Sequence, residues 1–83
     1  MPYLYILYSK VDDCYYVGST SLTPEERLER HLRMHKGFTS RSRDWEIVFS
    51  EYFETNAEAR NREYQIKGWK SKEKIKRLIE GIN

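Results

Sequence analysis

The chain has 83 residues, 39% of them hydrophobic and 34% charged, with a formal net charge of +2. That is room for one small domain of globular rather than disordered composition. No apolar run approaches the ~18–20 residues of a bilayer-spanning helix, and the single Cys14 allows neither an internal disulfide nor a zinc-type spacing. No basic leader or small-residue cleavage site is readable, so a cytoplasmic protein without membrane attachment is expected.

Charge is unevenly spread. From Arg60 to Arg77 eight basic residues face two acidic ones, so this segment carries +6 and the remainder −4. Such polarisation suits a polyanion, although a solvated helix face has the same signature.

Tyr3 to Ser9, rich in aromatic and branched residues, reads as a strand. Lys10-Val11-Asp12-Asp13 is a turn, and Cys14 to Ser19 is its hairpin partner. Thr23-Pro24-Glu25-Glu26 opens a helix: threonine caps, proline suits the first position, and Glu26 completes a capping box. This helix runs to about Lys36, with Gly37 as its stop. Phe38 to Asp44 is a polar loop, and Trp45 to Phe53 a third strand. Thr55-Asn56-Ala57-Glu58 opens a second helix to about Gly68. Ser71 caps a third, with Ile75, Leu78, Ile79 and Ile82 at helical spacing. The expected fold is one α+β domain over residues 1–83, with three antiparallel strands, the first central, and three helices. The first helix makes a right-handed crossover to the third strand.

With a four-residue hairpin loop, Ser9 faces Cys14, Tyr5 pairs with Gly18 and Leu7 with Tyr16. Tyr5 and Tyr16 are then diagonal neighbours on one side of the sheet. Leu4, Ile6, Tyr8, Tyr15 and Val17 form the opposite, more apolar side, the better candidate for the main core. Gly18 beside two phenols marks either a close approach to the backbone or a bulge at a strand end. On the first helix Leu28, Leu32 and His35 face the sheet, beside a stripe of Arg27, His31 and Met34.

On the second helix Glu63 interrupts the apolar stripe of Ala59 and Ile66. A half-buried carboxylate needs a partner. Two readings stand open: an ion pair with Arg27, Arg60 or Arg62, and an oxygen ligand for Mg²⁺ or Mn²⁺. Two phenols, an arginine, a histidine and a carboxylate at one concave site are the parts of phosphodiester hydrolysis. A cation on Glu63 would neutralise the leaving oxygen, and Arg27 would hold charge on the phosphoryl oxygens. Tyr5 or Tyr16, with its pKa lowered by the cation and Arg27, would take a proton from water, and His31 would serve as base or phosphate donor. No Ser–His–Asp or Cys–His order, glycine-rich phosphate loop or dinucleotide fingerprint supports acyl transfer or nucleotide-cofactor chemistry.

These residues carry a resemblance. Over nearly its whole length the chain resembles the GIY-YIG nuclease superfamily, and in particular its small stand-alone bacterial members. Tyr3-Leu4-Tyr5 stands for G-I-Y, with Tyr3 in place of the glycine, and Tyr16-Val17-Gly18 stands for Y-I-G. Glu26 to His31 is similar to the helix bearing the family's arginine, with a histidine one turn later. Ala59 to Lys67 resembles the helix that carries the metal-binding glutamate, placing it at Glu63; no counterpart is found for a downstream asparagine present in several catalytic members. The resemblance implies a three-stranded sheet flanked by helices and divalent-metal-dependent cleavage of DNA by Tyr5, Tyr16, Arg27, His31 and Glu63. Gly18, Arg41, Arg43, Lys67, Lys70 and Lys72 are expected to meet the nucleic acid, and either specificity is low or a protein partner supplies the targeting. The alternatives are a nucleic-acid-binding module without turnover, resting on the basic segment, and a protein-interaction domain using Phe38, Trp69 and Tyr52.

Overall fold

The computed structural model of the chain describes residues 2–33 and 44–81, with the side chains of 31–33 left out. Two strands, β1 (Tyr3–Ser9) and β2 (Cys14–Thr20), are followed by helix α1 (Pro24–Arg33) and strand β3 (Glu46–Tyr52). Helices α2 (Asn56–Trp69) and α3 (Lys72–Glu80) complete the expected order. The sheet order is β2-β1-β3, with β1 central and antiparallel to both neighbours. No helix among the described residues is long and apolar enough to cross a membrane.

The hairpin register is the expected one: Ser9 opposite Cys14, Leu7 opposite Tyr16, Tyr5 opposite Gly18. The tight turn places Asp13 in the left-handed region at φ 50. Its anchor is remote in sequence. Buried Ser9 donates its hydroxyl to Asp44 Oδ1 at 2.7 Å and accepts the Asp12 amide at 3.1 Å. Asp44 Oδ2 accepts the Val11 amide at 2.9 Å, so one carboxylate fixes the loop that sets the register. On the other side of β1 the ladder is irregular: Ile6 pairs with Phe49 and Leu7 with Ile47, leaving Val48 as an extra residue. Such a bulge bends the strand locally.

Helix starts follow their caps. The Thr23 hydroxyl donates to Glu26 Oε1 at 2.9 Å and accepts the Glu26 amide at 3.3 Å. Thr55 and Glu58 form a reciprocal capping box at the start of α2, and Ser71 caps α3. The expected end of α2, about Gly68, holds to within one residue. The helix runs through that glycine to Trp69 and is closed by Lys70 in a left-handed conformation, φ 49 and ψ 37. Trp69 packs on the core, and Ser71 must be free to open α3, so the reversal falls on the residue between them.

The sheet is covered on both faces. Leu4, Ile6 and Val17 pack with Ile66 of α2, flanked by Val48, Phe49, Trp69, Ile75, Leu78 and Ile79. The opposite face is a second core rather than an open surface: Tyr5, Leu7 and Trp45 pack with Cys14, Tyr16, Leu28 and Ile47. Each fully buried side chain of this size contributes roughly 1.5–3 kcal/mol. Gly37, Phe38 and His35, and the side chain of Leu32, lie outside what is described.

Candidate active site

Tyr5 stands at the middle of the central strand, only 1% exposed. Its ring lies over Gly18 of the neighbouring strand, so close that a Cβ there would meet the Tyr5 hydroxyl at 2.5 Å and Cζ at 2.7 Å. The close approach for which Gly18 is needed is therefore made by the protein's own phenol. Tyr16 is the diagonal neighbour, with ring centroids 6.3 Å apart. From α1, half-buried Arg27 donates Nε–H to the Tyr5 hydroxyl at 3.5 Å. Two strands and a helix thus bring Tyr5, Tyr16 and Arg27 together.

In the protein alone the pKa of Tyr5 is pushed up to about 12; the lowering expected of Tyr5 or Tyr16 is for a cation and Arg27 acting together. Burial is the largest cause. The Arg27 hydrogen bond and charge oppose it, while Tyr16 and the Glu63 carboxylate add to it. A phenol screened from water resists ionisation more than one guanidinium at 3.5 Å can offset.

Glu63 approaches from the other side of the sheet. Helix α2 buries Ala59 and Ile66 against it and carries Glu63 between them, its side chain 15% exposed. One carboxylate oxygen accepts the Ser19 hydroxyl at 2.6 Å; the other meets Lys67 Nζ at 2.6 Å. The anticipated arginine partners are thereby corrected. Lys67 lies one turn along the same helix, the favourable i,i+4 order, whereas Arg62 bonds to Glu51 at 3.2 Å and packs over Trp69. The two halves of the site meet on consecutive residues of β2. Gly18 seats the phenol on one face, and Ser19 holds the carboxylate on the other.

Glu63 has the character of a hard-cation ligand: a mostly screened carboxylate, oriented through one oxygen, whose second oxygen already faces a positive charge. Lys67, 49% exposed, borders solvent, so a cation approaching Glu63 would compete with its ammonium for that place. Among the described residues no three His, Cys, Asp or Glu side chains gather as a metal cluster. A cation bound here would keep most of its waters, as Mg²⁺ readily does.

The remaining candidates divide. His31 belongs to α1, one turn beyond Arg27, and its side chain lies outside the description, as do Arg41 and Arg43. Lys70 is exposed at the α2–α3 junction. Lys72 reaches back to the hairpin, 2.7 Å from both the main-chain oxygen and Oδ2 of Asp13. Lys72 and the Tyr8 hydroxyl, at 2.6 Å, hold the Asp13 carboxyl below its ordinary range. Trp69 is part of the core, while Tyr52 is 50% exposed beside Tyr3. Ser19 was absent from the expected set. Its signal was the register itself: pairing with Leu4 turns Ser19 toward α2.

A family model described as the GIY-YIG catalytic domain matches residues 1–76. A UPF0213 protein of Staphylococcus saprophyticus subsp. saprophyticus is 30% identical over 79 residues, 95% of each chain. No solved structure matches.

Proposed function

This chain belongs to the GIY-YIG catalytic-domain family, and from that premise we propose that it is a divalent-metal-dependent endonuclease hydrolysing DNA phosphodiester bonds. The observation that carries the reading is the meeting of Tyr5, Tyr16 and Arg27 with the Ser19-held Glu63 across one dipeptide of β2.

Glu63 would hold Mg²⁺ or Mn²⁺, which when bound neutralises the leaving oxygen and polarises the phosphate. Arg27 presents its guanidinium to the phosphoryl oxygens as their charge grows. Tyr5 is a positioning residue: buried and un-ionised, it accepts from Arg27 and fixes that side chain. Proton removal from the attacking water then falls to Tyr16, which is half-buried rather than sealed, or to His31 on the same helix as Arg27. The phosphorus–oxygen bond to the sugar breaks as the water oxygen bonds to phosphorus. Lys67, Lys70 and Lys72 contribute salt-sensitive attraction to the backbone without reading sequence. A second reading, DNA binding without turnover, is favoured by the Lys67 ammonium 2.6 Å from Glu63, where a metal would stand.

The test is incubation of linear, nicked and branched DNA with Mg²⁺ or Mn²⁺, with Glu63→Gln and Arg27→Ala in parallel. Cutting by the native protein that EDTA and both substitutions abolish supports the nuclease. Salt-sensitive binding by all three without cutting refutes it in favour of the module.

A further inference from the structure

A second concavity adjoins the site. Tyr15, Tyr16 and Val17 of β2 form one wall, Ile66 and Lys67 of α2 and Ile75 of α3 the other, enclosing about 270 Å³ with Lys70 at the rim. Pockets for drug-sized ligands span roughly 300–1,000 Å³, so this groove suits something smaller and flat. Its lining is largely apolar and aromatic, yet the two charged residues in it are both lysines. β2 is an outer strand of the sheet, so the groove lies along an edge that no described strand pairs with.

We infer that this groove receives an unpaired nucleobase of the DNA, with Lys67 and Lys70 on the phosphates that flank it. Three features select that occupant. Stacking on aromatic and aliphatic walls accepts any base, because each has an apolar face. The lysines match the charge that a nucleotide, but not a neutral apolar ligand, brings with its base. Lys67 also joins the groove to the chemistry, since the ammonium that lines it is the one paired with Glu63 at 2.6 Å. A base seated between Tyr15 and Ile75, which pack on the same face of the sheet, keeps its own phosphate within reach of Lys67 when that ammonium leaves the carboxylate. Tyr15 and Tyr16 are consecutive on β2, one ring on the groove side and the other beside Tyr5, so base seat and cleavage centre share one edge of the sheet. The substrate class is therefore DNA with an unpaired nucleotide next to the cut, such as a single strand or a frayed junction. A base held in a duplex is stacked on both faces and cannot enter.

The choice of DNA rests on the nuclease reading, but the test does not require cleavage. Fluorescence anisotropy in EDTA compares a labelled oligothymidine with an abasic chain of equal length and with the corresponding duplex. The native protein is expected to prefer oligothymidine over the abasic chain by about tenfold, within the range of one base–aromatic stack. Ile75→Trp, which fills the groove, should erase that preference and keep the salt-sensitive remainder. Lys70→Glu should weaken both oligomers alike. Equal affinity for the abasic and base-bearing chains overturns the proposal whatever the variant does. So does a base preference that survives in folded Ile75→Trp, or a dimer that this substitution dissociates without any base preference. Base-dependent binding with no cutting under Mg²⁺ upholds the groove while refuting the nuclease; cutting without base-dependent binding does the reverse.

Discussion

Replacing Gly18 with alanine tests the geometry of the site at its narrowest point. The added Cβ would stand 2.5 Å from the Tyr5 hydroxyl, 2.7 Å from Cζ and 3.1 Å from Cε1, where ordinary contact begins near 3.4 Å. The ring must shift by about 1 Å, and it has nowhere easy to go, being 1% exposed and packed with Leu7 and Trp45. Overpacking of this kind costs typically 1–3 kcal/mol. Taking about 2 kcal/mol, the melting temperature should fall by roughly 8–16 °C in a domain of this size. The same shift disturbs the Arg27–Tyr5 hydrogen bond, so cleavage should drop further than stability alone explains. Calorimetry of Gly18→Ala, Tyr5→Phe and the double variant closes a cycle. Removing the hydroxyl eliminates the 2.5 Å contact and leaves the 2.7 Å one, so the second substitution should recover part of the loss. A Gly18→Ala protein within about 0.5 kcal/mol of native, or a cycle without coupling, refutes the reasoning.

Alkaline titration followed at the tyrosinate absorbance should show late-ionising phenols near pH 12, one of which Tyr5→Phe removes. Because the folded pKa of Tyr5 is raised, its stabilising contribution is complete below about pH 10 and disappears as pH climbs toward 12. Lys67→Met deletes the cation beside Glu63. An i,i+4 pair with one screened partner is worth at most about 1 kcal/mol, so Mn²⁺ affinity by calorimetry should rise by up to about fivefold; unchanged or weaker binding would show that Lys67 does not occupy the cation's place. Asp44→Ala should cost about 1–3 kcal/mol in urea unfolding, because buried Ser9 and the Val11 amide lose their acceptor, while Asp44→Asn should cost less.

The hairpin register and the three helical caps were readable because they rest on contacts within a few residues. A four-residue turn fixes which side chains face each other, and Thr55 with Glu58 closes a cap on itself. What escaped was set by distant or competing groups. The bulge at Val48 depends on how β3 meets β1 across the intervening helix, and no local pattern marks it. The carboxylate of Asp44 sits 35 residues from Ser9 in a segment that reads only as loop. Glu63 was correctly seen as needing a partner, but three arginines were considered while Lys67, one turn along, had the better helical spacing. Tyr5 was expected to ionise with help from a cation, and in the protein alone burial works against that. Pairing across the hairpin places a ring, but only the packing of Trp45 and Leu7 shows how little water reaches it.

Gly18 and Ser19 explain why a domain this small can assemble such a site. Successive strand residues point to opposite faces, so one dipeptide can hold groups from two separate cores. Tyr5 and Arg27 belong to the α1 side, Glu63 and Lys67 to the α2 side, and neither helix needs to touch the other. A slip of one residue in the β1–β2 register would exchange the faces, setting a hydroxymethyl under the phenol and leaving the carboxylate without its donor. The turn fastened by Asp44 therefore guards the chemistry from the far end of the hairpin. Its loss should misplace Tyr5 and Glu63 relative to each other through register, acting at the turn rather than on either group.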